Sequence, residues 1–272
     1  MTRREPQPRP LCARSSGQWH EHYTQGAAAR LPVPWKRGAE LSPSEKQAVG
    51  KSLQAWQLGE TSDGRHLLAA ARRYACRQDD PLFVDAVRLF IREEQRHGGD
   101  LGRFLDLAGI PRVRRNWGDS IFRAFRYTLP SMEIWVTVVI MVETLALLFY
   151  KAVRDATGSV VLRRICAQIL RDEVHHIRFQ YERLAILHRR RSAWLRKCTL
   201  FLHRGLFAGI VLAVWAGHRR ALSAGGFSFA SYWRAAWLRM GFAWRRMDPD
   251  RYDWHEVPAI AASLRRELAA DP

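Results

Sequence analysis

Two short stretches pair a glutamate with a histidine three residues later. They are Glu94 and His97 in "IREEQRHGGDL" and Glu173 and His176 in "RDEVHHIRF". Residues at i and i+3 share one face of a helix, so each pair can turn a carboxylate and an imidazole toward one point. Two further glutamates stand in segments with the pattern of buried or half-buried helices: Glu60 in "WQLGETSDG" and Glu143 in "IWVTVVIMVETLALLFY". Glu143 is the only charged residue between positions 134 and 150. A buried carboxylate without a partner is prohibitive unless it takes a proton or meets a cation. Four such carboxylates and two neutral imidazoles balance two divalent cations. Hard oxygen donors with one nitrogen per metal suit iron or manganese better than zinc.

The elements that must position these residues are helices. Ser42, Pro43 and Glu45 form an N-terminal capping signature, and a helical pattern follows to about Cys76, weakened at Gly59 and Gly64. "RQDDP" breaks it, and a second helix runs from Pro81 to about Ala108. A connection of about 20 residues containing "GIPRVRRNWGDS" leads to a third helix over about 131–154. After "DATGS" a fourth covers about 159–188, and two or three more are expected, near 193–223, 228–245 and 257–269. Strand and hairpin signals are scarce. The fold class is therefore all-α. Two short connections around one long one describe a four-helix bundle with a single crossover, plus extra C-terminal helices. Three regions are expected: an irregular, proline-rich basic arm over 1–42, the di-metal bundle over 43–190, and a helical extension over 191–272 packing on the bundle.

One glutamate per bundle helix, with a histidine added on the second and fourth, resembles the ferritin-like di-iron carboxylate superfamily. The pattern Glu, Glu-x-x-His, Glu, Glu-x-x-His falls on Glu60, Glu94/His97, Glu143 and Glu173/His176, within residues 44–190. The spacings agree: 34 residues separate Glu60 from Glu94 and 30 separate Glu143 from Glu173, one helix and a turn each. The resemblance implies two iron ions, with manganese as the alternative, and an oxidoreductase that activates dioxygen or peroxide. A storage ferritin is disfavoured, because its pattern usually lacks the second complete Glu-x-x-His. A classical rubrerythrin is disfavoured because Cys12, Cys76, Cys166 and Cys198 form no C-x-x-C pair. The oxygenase and oxidase branch implies an electron donor and a small-molecule or carrier-bound substrate. Its pocket would lie between helices, near Trp56, Phe90, Ile140 and Leu147. Glu93 and Asp172, each preceding a motif glutamate, are expected to accept the ring N–H of the opposite histidine, as metal-bound histidines require. His175, His20 and His22 read as surface or packing residues, and Trp56 and Tyr150 as core.

The chain carries 44 Lys and Arg against 26 Asp and Glu, a net charge of +18. That balance favours acidic partners: an acidic carrier protein or an anionic membrane surface, with nucleic acid the least expected. The cysteine spacing and the absence of an apolar leader at the N-terminus suggest a cytoplasmic setting. Residues 205–217, "GLFAGIVLAVWAG", are apolar between basic flanks but short of the roughly 20 residues that a span needs. They read as a helix closing the bundle, with a peripheral membrane contact as the alternative. A second reading of the whole chain is a basic, metal-containing helical scaffold without catalysis.

Overall fold

The computed structural model describes residues 10–115 and 131–254. Among the described residues the chain is all-α, with no strand and one isolated bridge, Leu11 with Tyr252. In chain order the helices are α1 (Ser16–Ala28), α2 (Pro43–Glu60), α3 (Arg65–Gln78), α4 (Pro81–Leu107), α5 (Met132–Asp155), α6 (Val160–His188), α7 (Ala193–Ala224) and α8 (Phe229–Arg246). The most extensive packing is α5 on α6, followed by α1 on α4, α5 on α7, and α2 on α4.

Short polar side chains start most of these helices. Ser42 accepts from the Glu45 backbone N–H, and the Glu45 side chain returns to the Ser42 N–H, with Pro43 at the first position. Ser159, Ser192 and Ser228 each accept from the backbone N–H three residues on at the start of α6, α7 and α8, and Ser231 returns the bond to Ser228. Such caps satisfy backbone donors that a helix start leaves open.

Three expectations change. The pattern from Pro43 to Cys76 is two helices, because α2 ends at Glu60 and α3 starts after Gly64. Gly64 sits at φ +65°, where a Cβ would also stand 2.7 Å from Ile91. Both facts demand glycine, and the chain turns there. The arm over 1–42 is not wholly irregular. It contains α1, opened by a Ser15–Gln18 capping box and anchored by Trp19 and Tyr23, four residues apart and both buried. The run at 205–217 belongs to a helix of 32 residues, so α7 is long and apolar enough by length and composition to cross a membrane. So is α5, but 72% of its apolar window is buried against 17% for α7. The latter part of the long connection, 116–130, and the helix expected at 257–269 lie outside the described residues.

The apolar core forms two large clusters. On α4, Phe83 to Ile91 belong to the first, and Leu101, Phe104 and Leu105 to the second. On α6, Ile177 and Phe179 belong to the first, and Ile165, Cys166 and Ile169 to the second. Glu94, His97, Glu173 and His176 fall between them, so a polar layer is held between two apolar ones.

Candidate metal centre

All six expected residues meet in that layer. Ligand atoms of Glu60, Glu94, His97 and Glu173 lie within 4.8 Å of one another, and so do those of Glu94, Glu143, Glu173 and His176. The two groups share Glu94 and Glu173. Glu60, His97, Glu143, Glu173 and His176 are buried, and Glu94 is half-buried.

Local structure explains each placement. Glu60 is the last residue of α2, and Gly98 on α4 brings it in. A Cβ on Gly98 would stand 2.7 Å from the Thr61 side chain and 3.0 Å from the Glu60 carbonyl carbon. Only glycine lets α4 approach the end of α2 so closely. The i, i+3 pairs on α4 and α6 face each other across the layer: Nδ1 of His176 lies 2.9 Å from Oε1 of Glu94 and 3.5 Å from Oε2 of Glu173. On the other side, Nδ1 of His97 lies 3.8 Å from the same Glu94 oxygen.

The histidine tautomers follow from their outer partners. Nε2 of His97 donates to Asp172 Oδ2 at 3.0 Å, and Nε2 of His176 donates to Glu93 Oε2 at 3.0 Å. A carboxylate has no proton to give, so each ring carries a proton on Nε2 and turns its Nδ1 toward the glutamates. Asp172 also accepts from Gln168 at 2.8 Å, and Glu93 pairs with Arg96.

Inside the layer, donors are missing. Nδ1 of His97, Nδ1 of His176, Oε1 of Glu94 and Oε2 of Glu173 are buried without a hydrogen-bond partner. The 2.9 Å contact from His176 to Glu94 lacks hydrogen-bond alignment. Lone pairs facing lone pairs in an apolar setting need a proton or a cation between them. Burial, with the neighbouring carboxylates, pushes Glu60, Glu143 and Glu173 above their usual range. Burial works the same way on Glu94, but the His176 and His97 rings outweigh it and hold that carboxyl low. For His97 and His176 burial favours the neutral ring, and the surrounding carboxylates outweigh it and raise both. The unpartnered atoms and the donor set fit a metal centre: the two groups could each hold a metal ion.

Two neighbours, Gln180 and Tyr23, go beyond the sequence analysis, and Tyr150 has a polar contact that it did not anticipate. Gln180 donates to both oxygens of Glu143, at 2.7 Å each. It lies one turn beyond His176 on the same face of α6, and that spacing was the available signal. Tyr150, read as core, donates its hydroxyl to Glu60 Oε1 at 2.6 Å. Tyr23 from α1 packs its ring 6.0 Å from the His176 ring, and its buried hydroxyl has no hydrogen-bond partner. Its position could be found only by recognising α1. Trp56 stacks on Phe149 at 4.6 Å, and Phe90 sits 4.7 Å from His176. His175 does not face the metal layer and meets His22 of α1, ring centres 4.4 Å apart.

Comparison of the chain with protein-family models, with curated proteins and with solved structures finds no significant match.

Proposed function

We propose that the chain is a di-iron oxidoreductase of the ferritin-like carboxylate type, its four-helix bundle formed by α2, α4, α5 and α6. The observation that carries the reading is the pair of four-residue groups sharing Glu94 and Glu173. Glu94 and Glu173, common to both groups, would serve both ions. Glu60 and His97 would complete one coordination sphere, and Glu143 and His176 the other. With four residues each, ions that take six ligands would keep positions for a small molecule. Four carboxylates and two imidazoles suit iron, with manganese second.

Iron bound there would supply the electrons that dioxygen or peroxide chemistry needs. The protein's own residues set the conditions. Glu93 and Asp172 hold the imidazoles in the ligating tautomer. Tyr150 and Gln180 orient Glu60 and Glu143. Phe90, Phe179 and Tyr23, whose rings pack against one another beside His176, exclude water from one side of the layer. A dry surround strengthens every charge interaction within it.

The deciding experiment is anaerobic loading with ferrous iron followed by exposure to dioxygen. The reading expects about two irons per chain and dioxygen consumption that depends on them. Metal bound at that level with no dioxygen or peroxide consumption would instead support a structural centre in a non-catalytic scaffold.

A further inference from the structure

Helices α7 and α8 leave a large apolar surface uncovered. Trp194, Phe201 and Leu202 on α7 are 72%, 77% and 68% exposed, and Leu238 on α8 is 68% exposed. Leu212 and Phe242 extend the same surface. A groove between the two helices is lined by Leu212, Trp233, Trp237 and Leu238 together with Arg234 and Arg245. Soluble chains rarely expose so many large apolar residues together unless something covers them.

The charge around this surface indicates what covers it. Residues 192–246 contain nine Lys and Arg and no Asp or Glu. Arg204, Arg219, Arg220, Arg234 and Arg245 are exposed. Along α7 no charged residue stands between Arg204 and Arg219. The chain thus presents an apolar centre between cationic ends. A second copy of the same face would bring like charge against like charge, which disfavours a symmetric dimer here. An anionic lipid surface complements both features, taking the apolar side chains at the acyl boundary and the guanidinium groups at the phosphates.

The inner side of α7 fixes its orientation. His203 Nε2 lies 3.3 Å from Thr137 Oγ1 on α5, and His218 Nδ1 lies 3.1 Å from Ser52 Oγ on α2. Phe207 and Val211 are fully buried. A helix so engaged cannot cross a bilayer without leaving the bundle. It can lie in the interface plane. Trp and Phe at the surface are suited to that depth.

We propose that the α7–α8 face docks the protein peripherally on a membrane containing anionic phospholipid. The test is co-sedimentation of the full-length protein with large unilamellar vesicles of phosphatidylcholine, alone or with phosphatidylglycerol, at low and high salt. Binding is expected to anionic vesicles and to weaken with salt. Replacing three arginines together (Arg204→Gln, Arg219→Gln, Arg220→Gln) should weaken binding by roughly a hundredfold. Replacing exposed apolar groups (Phe201→Ser, Leu202→Ser, Leu238→Ser) should also weaken it, with the helical circular dichroism unchanged. The arginine variant keeps the test valid if the apolar variant fails to fold. No sedimentation with anionic vesicles at low salt would overturn the proposal. So would equal binding to both lipid compositions, or wild-type binding by the arginine variant. A vesicle-inert protein that forms a stable complex with an acidic protein would assign the face to that partner instead.

Discussion

Glu93 on α4 accepts a hydrogen bond from His176 on α6, Nε2 to Oε2 3.0 Å, while Asp172 on α6 accepts one from His97 on α4 at the same distance. The two helices thus exchange outer partners across the candidate metal layer, each holding the other's histidine. If these bonds set ring orientation and tautomer, Glu93→Gln and Asp172→Asn should weaken metal binding by about 10–100-fold. The folded structure should be retained. Titration of the metal-free protein with ferrous or manganous ion, followed by calorimetry, measures this. Unchanged affinity in both variants would show that the rings are held by packing alone.

A glycine pair gives a second test. Gly98 touches the end of α2, whereas a Cβ on its neighbour Gly99 would meet nothing within 4 Å. Gly98→Ala should cost about 1–3 kcal/mol through overpacking and push Glu60 away from the layer. Gly99→Ala should stabilise by about 0.5–1 kcal/mol through helix propensity. Chemical denaturation compares the two, and equal effects would mean that α2 and α4 do not meet as described.

Metal should also stabilise the fold. A ligand that binds the folded chain and not the unfolded one contributes about 2.7 kcal/mol at a hundred times its dissociation constant. Thermal unfolding at neutral pH should therefore shift upward when metal is restored. Equal midpoints with and without metal would count against a shared buried site.

Acid stability has an identifiable contributor away from the metal layer. Burial pushes Glu133 up, but His188, 3.1 Å away, and Arg191 outweigh it and hold the carboxyl at about 2. The folded value lies below the unfolded one of about 4.3. The contribution is therefore complete above the unfolded value and is lost as the pH falls through the folded one. Glu133→Gln should cost on the order of 2 kcal/mol near pH 6, and the gap from wild type should close toward pH 2. A gap independent of pH would show that the pair contributes nothing.

The i, i+3 motifs, the Ser42 capping box and the lone Glu143 are local patterns, so most of the helices and the clustering of the six residues could be read from the chain. Gly98 shows what could not. Its role depends on Thr61, 37 positions earlier, and no periodicity records that contact. In the sequence the break at Gly64 reads as a weakened helix, because a single glycine inside a helical pattern costs only about 1 kcal/mol. The positive φ that ends the matter is a tertiary fact. Helix α1 is masked in the sequence by the surrounding prolines, although Ser15 with Gln18 and Trp19 with Tyr23 carry its signal. The uncovered face of α7 was also beyond the sequence, since an apolar run reads the same whether another helix covers it or not.

The proposed function stands on Glu94 and Glu173 serving two metal positions at once. Its most direct test is metal analysis of anaerobically loaded protein, wild type beside Glu94→Ala and Glu173→Ala, with Glu21→Ala on exposed α1 surface as a control. The account predicts about two metals per chain in wild type and control, and fewer in each ligand variant. Two full equivalents retained in both ligand variants, or no metal bound by the wild type, would contradict it.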